Sequence, residues 1–129
     1  VAEDGTAYMV FQSQPNAEKK SFVMRYDGSK WEQIGDEINH TASSNAERDN
    51  VALAVHPNGT LYFAYGDATG LYVTTFNNTT NNWNTARQLR TTKVDGLDLK
   101  ISADGVPYLA TEDVDTSAPI LYKFDIPAK

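Results

Sequence analysis

Apolar and polar residues alternate with period two along most of the chain, and no long stretch follows the 3.6-residue period of an amphipathic helix. Thr6 to Phe11 is a β-rich run bounded by Gly5 and by Gln12-Ser13-Gln14-Pro15-Asn16. Ser21 to Tyr26 predicts a second strand, stopped by the hairpin signal Asp27-Gly28. Lys30 to Ile34 alternates as a strand with one solvated face does, and Gly35-Asp36 is expected to end it. Asn39 to Asn50 is polar and reads as a long connection, with room for a short helical turn across Asn45 to Asp49. Val51 to Val55 is wholly apolar, which predicts a strand buried on both faces. Thr60 to Tyr65, Leu71 to Phe76 and Trp83 to Leu89 follow as further strands. Leu97 to Ile101, Val106 to Thr111 and Ile120 to Phe124 complete the set.

The pattern repeats. Asp4-Gly5-Thr6-Ala7-Tyr8-Met9-Val10-Phe11 parallels Asn58-Gly59-Thr60-Leu61-Tyr62-Phe63-Ala64-Tyr65, and Asp104-Gly105-Val106-Pro107-Tyr108-Leu109-Ala110-Thr111 parallels both. Gly5, Gly59 and Gly105 lie roughly 46 to 54 residues apart, a spacing expected of propeller blades. The expected fold is therefore all-β, with β-propeller-like blades of four antiparallel strands in one segment. The units span about residues 1–50, 51–96 and 97–129. The first unit lacks its first strand and the third its fourth. A ring needs at least about four blades, so the ring is incomplete: either the chain is a fragment of a longer propeller, or identical copies close it.

Composition narrows the partners. The chain has 129 residues, 40% hydrophobic and 22% charged, with seven Tyr, five Phe and two Trp. Its net charge of -6 argues against nucleic acid, whose phosphates call for clustered Lys and Arg. With no Cys, disulfides and thiolate chemistry are excluded. No apolar run approaches the roughly 20 residues of a membrane span. Val1-Ala2-Glu3-Asp4 carries neither an initiator Met nor a signal peptide, and it reads as a processed or excised boundary.

Val23-Met24-Arg25-Tyr26-Asp27-Gly28-Ser29-Lys30-Trp31-Glu32-Gln33-Ile34-Gly35 and Gly59-Thr60-Leu61-Tyr62-Phe63-Ala64-Tyr65 resemble repeats of bacterial secreted and cell-surface β-propeller proteins. The resemblance covers most of the chain. It implies an exported protein, extracellular or in the cell envelope, and it says little of activity, because propellers host hydrolases, lyases, lectins and scaffolds alike. Asp27-Gly28-Ser29-Lys30-Trp31 is similar to an Asp-box, although Gly directly follows Asp and the leading Ser is missing.

Few residues point to chemistry. His40 and His56 are the only histidines; both are expected in solvent-facing loops and neither sits in a metal-ligand spacing. Asp95, Asp98, Asp113 and Asp115 offer oxygen donors for Ca²⁺, yet no Asp-x-Asp-x-Asp-Gly loop surrounds Asp113-Val114-Asp115, which reads as a solvated loop. Glu112 and Asp113 are poorly placed as a hydrolytic pair, since strand neighbours face opposite ways. Trp31 and Trp83 occupy equivalent positions, either packed on a neighbouring unit or stacking a sugar ring. The candidate ligand-binding residues are Trp31, Trp83, Asp113 and Asp115. No catalytic residue, metal site or cofactor is assigned. The expected function is a non-catalytic binding or scaffold module for a glycan or protein. The alternatives are a segment of a propeller-type glycoside hydrolase or polysaccharide lyase, and a self-assembling propeller element.

Overall fold

Hairpin signals outnumber every other local signal in the sequence, and the computed structural model is built from hairpins throughout. It describes residues 1–13, 19–40 and 50–123, without the side chains of Lys19, Asn39 and His40. Among the described residues eleven strands form three antiparallel sheets of three, five and three strands, none closed on itself. The first sheet holds β1 (Ala7–Ser13), β2 (Lys19–Tyr26) and β3 (Trp31–His40). The second holds β4 (Val51–Val55), β5 (Leu61–Asp67) and β6 (Gly70–Asn77), with β7 (Asn82–Trp83) and β8 (Arg87–Arg90) both paired to the far side of β6. The third holds β9 (Val94–Ile101), β10 (Pro107–Asp113) and β11 (Pro119–Lys123). Among the described residues no helix is long and apolar enough to cross a membrane. The stretch Asn45 to Asp49, which had room for a short helical turn, lies outside the described residues.

The three repeated turns are alike in hydrogen bonding. The Ala2 amide donates to Thr6 O and the Gly5 amide to Ala2 O; His56, Gly59 and Thr60 repeat this, as do Ser102, Gly105 and Val106. The sequence repeat is thus a repeat of backbone geometry. It also sets the packing. Successive strand residues face opposite sides, so β5 points Leu61, Phe63 and Tyr65 towards Val23 and Ile34 of the first sheet. Tyr62 and Ala64 point the other way, towards Leu99 and Leu109 of the third. Every residue of β5 is buried. The second sheet is the middle layer, with an apolar core on each face. At about 25 cal/mol per Å², each large side chain buried there contributes roughly 1.5–3 kcal/mol.

Three expectations change. Val51 to Val55 is half-buried throughout rather than buried on both faces. Its pattern lacks polar positions because both side-chain faces touch a core, but β4 pairs only with β5 and lies at the sheet's edge. The predicted strand Trp83 to Leu89 is two strands, interrupted over residues 84–86: the Asn84 amide still donates to Thr75 O at 2.9 Å, but its carbonyl accepts from the Thr74 side chain, Oγ1, at 2.6 Å and its Nδ2 donates to Thr75 Oγ1 at 2.9 Å. The third is Gly35-Asp36, which does not end β3. Gly35 adopts φ +66 within the strand, where the register shifts between Ser21 and Val23, so it serves a bulge rather than a turn. A Cβ on Gly35 would stand 2.9 Å from Trp83 Cδ1 and Nε1. The bulge therefore lets β3 come close to β7. Asp36 and Asn82 complete that contact, the Asp36 amide donating to Asn82 Oδ1 at 2.9 Å and Asn82 Nδ2 to Asp36 Oδ2 at 2.7 Å.

Candidate functional site

The inner strands of the three sheets, β1, β4 and β9, converge on one groove of about 410 Å³. Residues 51–55 of β4 form its floor, Tyr8 and Val10 one wall, and Leu99 and Ile101 the other. Among the described strands, β4 and β9 each pair along one edge only, which leaves backbone N–H and C=O groups unladdered on this side. The charged lining residue is Lys100, whose Nζ lies 3.5 Å from Asp98 Oδ1 on the exposed surface. A trough of mostly apolar side chains with open strand edges suits an extended segment that adds main-chain hydrogen bonds. No carboxylate is among its described lining residues.

Asp113 is not in a solvated loop. It is 3% exposed and closes β10. Its Oδ1 accepts from the amides of Asp115 and Thr116, both at 3.0 Å, and from Thr116 Oγ1 at 3.1 Å. Its Oδ2 accepts from Arg90 at 2.6 Å and Thr92 Oγ1 at 3.2 Å. Arg90 comes from β8 of the second sheet, so one carboxylate shapes a hairpin and ties two sheets together. The Arg90 guanidinium, followed by the Thr116 amide, holds the Asp113 carboxyl well below the usual carboxylate range. Arg90 is shifted upward by the same contact. With five donors on two oxygens, Asp113 has little left for a cation. Asp115 is exposed and gives the site only its amide. Asp95 and Asp98 are exposed, and among the described residues no three His, Asp or Glu side chains gather as a metal site.

The sign of the Asp113 effect on stability follows. A folded pKa below the unfolded value of about 3.9 means stabilisation that is complete above that value and lost as pH falls through the lowered folded one. Asp113→Asn should flatten the acid limb of a plot of thermal midpoint against pH, and lower the midpoint near neutrality. Parallel curves for wild type and variant below pH 5 would show that the clamp does not set acid stability.

Trp83 and Trp31 hold equivalent positions, opposite Phe76 and Tyr26 respectively. Trp83 packs across the sheet boundary on Gly35 and beside Phe63 and Phe76, with its indole N–H buried and unpartnered. Trp31 is 43% exposed and lies beside Tyr26, ring centroids 5.3 Å apart. The four candidate residues are not brought to one place. Trp31 is on the outer face of the first sheet, Trp83 is between the first and second sheets, and the two aspartates are at the β10–β11 hairpin.

His56 is a bridge rather than a solvent-facing turn residue. Its Nδ1 accepts the Asn58 amide at 3.0 Å, so Nε2 carries the proton and donates to Gly105 O at 3.1 Å. One imidazole thereby joins equivalent turns of two sheets. The backbone of His40 ends β3. Asn50, read as loop, is 1% exposed. Its Nδ2 donates to Val94 O and its Oδ1 accepts the Gly96 amide, both at 2.9 Å, pinning the third sheet to the second. Its place at the border of a polar run and an apolar strand was the available signal. For Asp113 the signal was plainer: Asp67-Ala68-Thr69 makes the same turn clamp at the equivalent hairpin, Asp67 Oδ1 accepting from the Thr69 amide at 2.8 Å and its hydroxyl at 2.7 Å.

Compared with models of known protein families the chain matches none, and no curated protein matches it.

Proposed function

We propose that this chain is a propeller-type segment that acts as a non-catalytic binding or scaffold module of an exported protein, with its ligand seated in the groove over β4. The groove carries this reading. It is lined mostly by residues with apolar side chains, bounded by three sheets and floored by a strand with an open edge. In a propeller such a groove is the mouth of the central channel, where loops and inner strands receive ligands. The blade reading is supported by the three alike turns and by each sheet burying a face on the next. An extended polypeptide fits best, because main-chain pairing along β4 needs no charged partner. A glycan is the second ligand class, drawn by the resemblance to surface propellers.

The test is a displayed-peptide selection run beside a glycan array on the intact chain, followed by amide chemical-shift mapping of whatever binds. Shifts centred on Val51 to Val55, with Leu99 to Ile101 following, are expected. A ligand that instead moves the β10–β11 hairpin would remove the groove from consideration. Turnover of an arrayed glycan would remove the non-catalytic reading.

A further inference from the structure

We propose that the outer face of the first sheet is a self-association surface, on which a second copy of this chain docks face to face about a two-fold axis. This face lies on the opposite side of β1 from the groove. Alternation puts Tyr8 and Val10 towards the second sheet and Met9 and Phe11 outward. The outward set is continued by Phe22, Met24 and Tyr26 of β2 and by Trp31 and Gln33 of β3. Met9, Phe11, Tyr26 and Trp31 are 37–43% exposed. Phe11 stacks on Phe22 at 5.2 Å and Tyr26 lies tilted against Trp31 at 5.3 Å, with Met9 opposite Met24 between the two aromatic pairs. Both methionines of the chain are here. Unbranched, polarisable thioethers between aromatic anchors suit a surface that adapts to a partner. The row ends at the Lys20–Glu37 ion pair, as a polar rim would.

The kind of partner follows from precedent and charge. Trp83 occupies the position equivalent to Trp31 and is covered by another sheet, the first. A sheet face is therefore the natural cover. In a second copy the middle sheet already has cores on both faces, leaving the outer faces of the third and first sheets. The third sheet presents Asp98, Lys100, Glu112 and Lys123 around Tyr108 and Ala110. Docking it against methionine and phenylalanine would strip those charges of water, with the long Lys100–Asp98 contact as the offset within the face. The Arg25–Glu32 pair of the first sheet is on its inner face, and the outer face carries no charge on its central rows, so two copies meet apolar to apolar. Two antiparallel sheets then pack about 10 Å apart as in a sandwich, and an isologous contact closes on itself. Three strands of about seven residues give a patch roughly 10–15 Å by 20–25 Å. That is below a standard interface, so the dimer should be weak and concentration-dependent.

Sedimentation velocity of the wild-type chain between roughly 10 µM and 1 mM tests this. The apparent mass is expected to double across that range. Phe11→Lys with Met24→Lys should hold it at one copy, with unchanged circular dichroism. Because the chain has no Cys, Met24→Cys gives a single reactive thiol near the two-fold axis. A bis-maleimide spanning about 10 Å should join two Met24→Cys chains. It should not join Met24→Cys to Ala110→Cys, which marks the third sheet. A wild-type chain that stays at one copy throughout overturns the proposal. So does cross-linking to Ala110→Cys, which would mean head-to-tail stacking.

Discussion

Gly70→Ala is expected to destabilise the protein by about 3–5 kcal/mol, more than an added methyl at any open turn glycine. Gly70 begins β6 at φ +139, where side chains rarely sit. A Cβ there would fall 1.9 Å from Arg90 O and 2.9 Å from Arg90 C. These are backbone atoms of β8 and cannot rotate away. The Leu71–Arg90 pairing must open, and Arg90 moves with its hold on Asp113. Gly59→Ala is the matched control: φ is +89, but nothing lies within 4 Å of the new methyl, so backbone strain of roughly 1–3 kcal/mol acts alone. Urea unfolding of the two variants isolates the steric part. Equal midpoints for the pair would mean that β8 yields freely and that the outer edge of the second sheet is loosely held.

Phe63→Ala should remove about 3–5 kcal/mol, a large share of the 5–15 kcal/mol that holds an ordinary domain. Phe63 is 0% exposed. It sits in the core between the first and second sheets, with Tyr65 and Trp83 at centroid distances of 5.7 and 5.9 Å. The cavity cannot refill cheaply, since its walls belong to two rigid sheets. Phe63→Leu keeps most of the volume and should lose less than half as much. Thermal melts followed by circular dichroism read both. A small loss for Phe63→Ala, near 1 kcal/mol, would show that the first sheet is not firmly packed on the second.

Strand positions were legible because side-chain alternation and the repeated Gly turns are local signals, and both survive into the fold. What the pattern could not carry was what lies across from each strand. Val51 to Val55 reads as fully buried from its apolar residues, but burial also needs a neighbour at the strand's edge, and that is set by topology. Gly35 reads as a stop because the same positive φ serves a turn and a bulge. Only the approach of Trp83 from another sheet decides between them. Asp113, His56 and Asn50 were missed as cross-sheet ties because the bonds of each that cross between sheets reach partners 21 to 49 residues away. The groove was legible only as a general place for a ligand, since its walls come from three separate units.

The middle sheet has its two faces occupied by different partners, so it is the one leaf that both outer leaves depend on. Peeling either flank away would bare one oily side of that leaf while its other side stayed sealed. Damage at one end can therefore be contained, whereas damage to the Leu61–Asp67 strand loosens both ends together.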